Sequence, residues 1–198
     1  MSKLVATLAG RLATDPGATD KDLPQAGVLV LLDEQGAEPT VVLTLRAAHM
    51  RLHAGEVAFP GGKCDPQDTS HWHTALREAE EETGLPRDAV EQLGVLPSVV
   101  TRTGIEVIAC VGRLMTPVNL QLNPDELEEV FSVPLSFFAQ ADQLHLDRFE
   151  YRGRSRLVPR YEYKDYSIWG ITAAILVKLV NTACDAGLEL EDYWLGDS

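Results

Sequence analysis

The sequence predicts an α/β fold in one domain, and three observations carry that reading. A chain of 198 residues with 45% apolar content is long enough to bury a sizeable core. Apolar runs of strand length are interspersed with segments of helical periodicity. No linker, repeat or low-complexity tract marks a boundary, so residues 1–198 are read as a single unit.

The elements follow in order. Leu4, Val5, Leu8 and Leu12 recur at helical spacing, giving an N-terminal helix within residues 1–20 that Asp15-Pro16-Gly17 closes. Ala26–Asp33 is a continuous apolar run, the pattern of a strand buried on both faces. Residues 34–39 turn the chain and Thr40–Arg46 returns as a second strand. Glu56–Phe59 reads as a short apolar strand, with Pro60-Gly61-Gly62-Lys63 opening a loop through Cys64 to Asp68. Asp68, Thr69 and Ser70 are competent N-caps for a helix that Gly84 stops. Residues 94–100 and 105–114 read as strands about a turn at Thr101–Gly104, and Pro134–Gln140 as a short helix. Arg148, Arg152, Arg154, Arg156, Arg160 and Lys164 crowd an otherwise acidic chain, and Arg152-Gly153-Arg154 suits a hairpin tip between aromatic-rich strands. A C-terminal helix covers residues 170–187, carrying Ile171, Ala174, Ile175, Val177, Leu179 and Val180.

Composition narrows the function. A net charge of −13 argues against nonspecific binding to nucleic acid or anionic membranes, which needs basic surface. Three cysteines, Cys64, Cys110 and Cys184, stand far apart without a Cys-x-x-Cys pair, the usage of a reducing compartment. The five histidines form no ligand cluster: His71 and His73 diverge on the helix, and His49 and His53 fall in a loop. There is no signal-peptide pattern and no transmembrane run, so the cytoplasm is expected. Nothing in the sequence sets an oligomeric state.

The chemistry gathers in Arg77-Glu78-Ala79-Glu80-Glu81-Glu82-Thr83-Gly84-Leu85. Four carboxylates crowd the negative end of a helix dipole, and Glu78 repels Glu81 and Glu82 across one turn. At about 100° per residue, Trp72, Ala75, Leu76, Ala79 and Thr83 form the core stripe, and Glu78, Glu81 and Glu82 cluster on one flank. Glu80 and Arg77 point elsewhere. Three oxygen ligands on one flank suit a hard divalent cation such as Mg²⁺; a solvated acidic face is the alternative. The strand, glycine pair, loop and acidic helix in succession favour the metal.

This succession resembles the Nudix hydrolases, whose box runs Gly, five residues, Glu, seven residues, then Arg-Glu-apolar-any-Glu-Glu-any-Gly-apolar. Residues 77–85 match the second half throughout. In the first half Asp68 replaces the Glu, and eight residues separate it from Arg77, which puts the role of that acid in question. Upstream, Val42-Leu43-Thr44-Leu45-Arg46-Ala47, Arg51, Gly55 and Phe59-Pro60-Gly61-Gly62 are similar to the signature of the coenzyme A pyrophosphatase branch. The longer loop is similar to that branch as well. So are Asn123–Leu127, Val133-Pro134-Leu135 and Trp169–Ala173, extending the likeness over about residues 25–180.

The resemblance implies an α/β/α sandwich around a mixed sheet, and metal-dependent attack of water on a nucleoside diphosphate derivative. Mg²⁺ or Mn²⁺ is the implied cofactor, and a small nucleotide, coenzyme A or an acyl form, the implied substrate. Glu78 and Glu82 are first-choice metal ligands, with Glu81 as a third ligand or water-orienting base. Arg77 is expected to orient a box glutamate by ion pairing. Glu126 is either a general base or extra ligand, or a solvated member of an acidic run. Arg46 and Arg51 suit phosphate recognition through bidentate forks. Gly61 and Gly62 allow backbone to approach the diphosphate or make the turn. Trp169 either stacks a base or belongs to the core. ADP-ribose or NADH is the alternative substrate class, and a catalytically silent Nudix-fold binding module the alternative role.

Overall fold

A computed structural model describes residues 2–16, 19–20, 22–50, 52–151 and 154–190. Its centre is strand β1 (Gln25–Asp33), which runs parallel to β7 (Glu106–Leu114) from Gln25↔Glu106 to Leu32↔Arg113. Alternate residues of β1 face opposite ways, as the twofold period of a strand requires. Leu29 and Leu31 enter one core with Ala75, Ala79, Ile108 and Cys110; Val30 and Leu32 enter another with Leu43, Val111, Ile175 and Leu179. Apolar helices therefore cover both faces, which is why the strand sequence is continuously apolar. The fold is an α/β sandwich about a mixed sheet, as expected.

Strand β2 (Thr40–Arg46) joins β1 only at Leu32↔Val41 and Asp33↔Thr40, and then the two part. The chain wedges into the gap. Strand β3 (Val57–Ala58) pairs with β2 at Leu45 and Thr44, while β4 (Gly61–Lys63) pairs with β1 through Val28↔Gly61 and Gly27↔Gly62. Gly61 and Gly62 were expected to open a loop; they are instead strand residues. The reason is steric: a Cβ on Gly61, at φ 150°, would stand 2.5 Å from the Gly27 carbonyl oxygen. The other edge of β2 is lined by β8 (Leu127–Pro134), whose mixed polar sequence hid it as a strand.

Helix α2 (His71–Thr83) lies over β1 and β4, capped by the Ser70 hydroxyl accepting from the His73 N–H and ended by Gly84 at φ 68°. The expected strand at 94–100 is two pieces, β5 (Val90–Val95) and β6 (Val99–Val100), both antiparallel to β7. Pro97 between them has no N–H to give the ladder.

Helix α1 (Lys3–Arg11) is shorter than the 1–20 span; the chain leaves it so that Ala13 bridges to Val95, and Gly17 lies outside the described residues. Strands β9 (His145–Tyr151) and β10 (Arg154–Tyr163) form the expected hairpin, with Arg152 and Gly153 of its tip outside the described residues. A third strand, β11 (Tyr166–Trp169), completes this small sheet. Its inner face buries Tyr161 and Ile168, and the Tyr161 hydroxyl donates to the Phe138 carbonyl in α3 (Leu135–Phe138), the short helix expected there. Helix α4 (Gly170–Cys184) stops short of the expected Gly187. Asp185 takes the left-handed conformation and the Asn181 side chain brackets the backbone of Leu188, so the chain turns back early. No helix among the described residues is long and apolar enough to cross a membrane.

Close packing of α2 on glycine backbone makes a direct prediction. A Cβ on Gly27 would lie 2.6 Å from the His71 carbonyl oxygen. Gly27→Ala should lower stability by about 1–3 kcal/mol in urea unfolding, whereas Gly36→Ala, on an open turn, should change it by less than about 0.5 kcal/mol. Equal effects at the two positions would contradict this packing account.

Candidate active site

Where β1 and β2 part, the acidic flank of α2 comes down on the backbone of β4. A Cβ on Gly62 would stand 2.5 Å from Glu78 Cδ, so the Glu78 carboxyl rests directly against the strand. One step along, the Gly61 N–H donates to Glu82 Oε2 at 3.1 Å. Glu82 is 2% exposed. Burial pushes its carboxyl up to about 7, against the opposing pull of the Gly61 N–H and Arg46, and Glu126 and Glu78 push it further by like-charge repulsion. Burial also raises Glu78, with the ion pair to Arg77 opposing.

Arg46, at the end of β2, faces this pair. Its Nη1 stands 3.6 Å from Glu82 Oε1, too far for a hydrogen bond, and its Nη2 donates to Met50 Sδ at 3.1 Å. Its Nε is buried and has no hydrogen-bond partner among the described residues. The loop after Arg46 closes on itself at its base: the Arg46 N–H donates to the Glu56 carbonyl, and the Gly55 N–H returns to the Arg46 carbonyl. The same loop grips Glu126 from behind, through the Ala47 N–H to the Glu126 carbonyl at 2.9 Å and His49 Nε2 at 3.2 Å from the Asp125 carbonyl oxygen. Asn123 completes the join, donating its N–H to the Glu82 carbonyl at 2.9 Å.

Asp68 resolves the departure from the box. Its side chain is 3% exposed and receives Arg77 Nε at 3.1 Å and Nη2 at 3.0 Å, a bidentate fork. The Thr74 hydroxyl and the Asp65 N–H also donate to it. The extra loop residue is taken up in a tight turn, with the Asp68 N–H on the Asp65 carbonyl, that carries the shorter acid over the first turn of α2. These donors, Arg77 foremost, hold the Asp68 carboxyl well below the usual carboxylate range. Arg77, which helix geometry alone turned away from the flank, bends back: Nη1 reaches Glu78 Oε1 at 2.9 Å and Glu81 Oε2 at 3.2 Å.

The sequence-expected residues thus divide. Glu78, Glu82, Arg46, Gly61, Gly62 and the Glu126 segment are brought together. Glu81 is 56% exposed and turned toward Arg77, and Glu80 lies on the other flank against Arg87. Arg51 lies outside the described residues. Trp169 is 45% exposed and so is not core. Sequence reasoning missed Met50, His49 and Asn123 as supports; only Asn123 fell in a motif that had been singled out.

Among the described residues no three His, Cys, Asp or Glu side chains are already gathered as a metal cage. The donor set nonetheless fits a hard cation. Glu78, Glu82 and Glu126 repel one another, the opposing charge on Glu82 is a guanidinium beyond hydrogen-bond reach, and every available ligand atom is oxygen. Mg²⁺ needs only one or two carboxylates, with waters and phosphate oxygens filling the remaining positions.

Comparison with known proteins agrees with this geometry. Residues 22–154 match the profile of the NUDIX domain. The chain is 42% identical over 166 residues to the uncharacterized Nudix hydrolase NudL of Salmonella dublin, covering 83% of this chain and 86% of the relative. It is 43% identical over 142 residues to the protein of the same name from Photorhabdus laumondii, covering 72% and 76% respectively. Among solved structures, the NUDIX hydrolase from Alicyclobacillus acidocaldarius superposes with a TM-score of 0.51 at 19% identity, over 90% of this chain and all of that one. The MutT/nudix family protein from Enterococcus faecalis gives 0.53 at 19% identity, over 85% of this chain and 64% of that one. These structures share the fold.

The Asp68–Arg77 fork predicts an acid-sensitive contribution to stability. Because the folded carboxyl is held below its unfolded value of about 3.9, the contribution is whole above that pH and fades as pH falls through the depressed range. Asp68→Asn should cost about 3 kcal/mol at pH 7, with the gap to the parent closing below about pH 4. Urea midpoints measured from pH 7 to 3 check this; a gap that stays constant would contradict it.

Proposed function

The chain belongs to the Nudix hydrolase family, and we propose that within it the protein is a metal-dependent diphosphatase of coenzyme A or acyl-coenzyme A. The products are 3′,5′-ADP and 4′-phosphopantetheine or its acyl form, with the whole chain acting as one Nudix domain. The observation that carries the reading is Arg46. A partly buried guanidinium whose Nε has no hydrogen-bond partner among the described residues, beside a buried Glu82 that it does not reach by hydrogen bond, is built for an anion that arrives with a cation. The coenzyme A assignment rests on the segment holding that arginine: Val42–Ala47, Gly55 and Phe59–Gly62 carry the branch signature.

Glu78 and Glu82, with Glu126 beside them, would hold Mg²⁺ or Mn²⁺, which when bound neutralises the diphosphate and acidifies an attacking water. The chain's own groups do the rest. Arg46 pairs with phosphate oxygens and draws the anion into a protein of net charge −13. Gly61 and Gly62 keep the strand free of side chains where Glu78 and Glu82 reach it. Arg77, fixed by Asp68, holds Glu78 in place and positions Glu81, which is exposed enough to take a proton from water and release it to solvent. Glu126 is the second candidate for that proton.

Hydrolysis of ADP-ribose or NADH is the alternative, sharing the diphosphate and lacking the 3′-phosphate and thiol arm. A silent binding role is disfavoured because Glu78, Glu81 and Glu82 are all retained.

Two experiments test the reading. Incubated with Mg²⁺ and separately with coenzyme A, dephospho-coenzyme A, ADP-ribose and NADH, the protein should turn over coenzyme A with the highest kcat/KM. Brisk turnover of ADP-ribose with none of coenzyme A would sink the assignment. Glu82→Gln keeps an acceptor for the Gly61 N–H and relieves repulsion, so metal-free thermal stability should hold or rise. Its kcat should fall by at least about 100-fold. A variant that unfolds, or one that keeps full activity, would contradict the role given to Glu82.

A further inference from the structure

Among the described residues, five large apolar side chains are conspicuously exposed: Leu52, Met115, Leu146, Phe149 and Trp169. The structural supports of one of them, Trp169, run straight to the diphosphate site. It ends β11 on the outer face of the small sheet, with Ile168 buried on the inner face. Its backbone is extended (φ −136°, ψ 173°) and Gly170, at φ 64°, turns the chain sharply into α4. One helical turn on, the Thr172 hydroxyl donates to the Val57 carbonyl at 3.1 Å, pinning the start of α4 to β3. Val57 pairs with Leu45, the neighbour of Arg46. One helical turn and one or two strand spacings put the Trp169 and Arg46 backbones within roughly 15 Å of each other, at the same end of the main sheet.

We propose that Trp169 is a stacking platform for the nucleobase of the substrate, a site that rests on the nucleoside diphosphate reading above. With the phosphates on Arg46 and the acidic helix, the base projects one sugar away, toward the rim that Trp169 occupies. Charge selects the base over the phosphates at this place. Arg160, the cross-strand neighbour of Trp169, is already held by Asp147 and Glu162, so it offers no free fork to an anion. What the rim presents is a flat, uncharged ring on a fixed backbone, and stacking on such a ring accepts any base. Phe149 is equally exposed on the same sheet but lies on β9, the strand farthest from β3, and has no such connection to the site.

Equilibrium binding of ADP and of inorganic pyrophosphate in Mg²⁺ buffer tests the proposal. Trp169→Ala should weaken ADP binding by about 10- to 100-fold, the range of a single base–aromatic stack, and leave pyrophosphate binding unchanged. Trp169→Phe should restore most of the loss, and Phe149→Ala should affect neither ligand. Equal loss of both ligands, or undiminished ADP binding by Trp169→Ala, would overturn the platform while leaving the nucleotide reading intact. Failure of the parent protein to bind ADP while binding pyrophosphate would overturn both.

Discussion

Everything at this site depends on how closely helix α2 approaches bare backbone. Gly27 lets the first turn of the helix settle on β1, and Gly62 lets the Glu78 carboxyl lie against β4 where any larger residue would fill the space. The approach is costly in electrostatic terms, because it takes Glu82 out of water with no cation of the described residues in hydrogen-bonding contact. A fold that buries a carboxyl with only one backbone N–H and a distant guanidinium to offset it stores a demand for positive charge, and the raised affinity of Glu82 for a proton expresses that demand.

The arginines divide the work by partner. Arg77 is saturated, with a fork on Asp68 and further contacts to Glu78 and Glu81, so it acts as a fixed strut. Arg46 is left unsaturated at the mouth. Removing a strut lets the carboxylates move; removing the unsaturated group takes away a local attraction that an otherwise acidic protein offers an anion. The two cations are therefore not interchangeable, although a count of charges would treat them alike.

Much of this was legible in the sequence because it depends on local periodicity. The span of α2, its glycine stop, β2, and the grouping of Glu78 with Glu82 follow from spacing alone. The hairpin at β9 and β10 followed from Arg152-Gly153-Arg154 standing between aromatic-rich segments. What escaped was set by distant partners. Gly61 and Gly62 look like a turn until β1 lies beside them, and β8 looks polar because most of its side chains stay at least partly exposed while its backbone pairs with β2. Arg77 left its expected direction because a loop nine residues earlier delivered Asp68 to it. Trp169, an aromatic before an apolar helix, suited the core until β11 turned it outward.

The loop between Arg46 and Glu56 is fastened at its neck by main-chain hydrogen bonds, and its first residues are tied to the Glu126 segment and to the Arg46 side chain. Lengthening such a closed segment carries only a logarithmic entropic penalty, about 0.6 kcal/mol per doubling. Extra residues beyond the neck would therefore add little to the cost of holding Arg46 beside the carboxylates on α2.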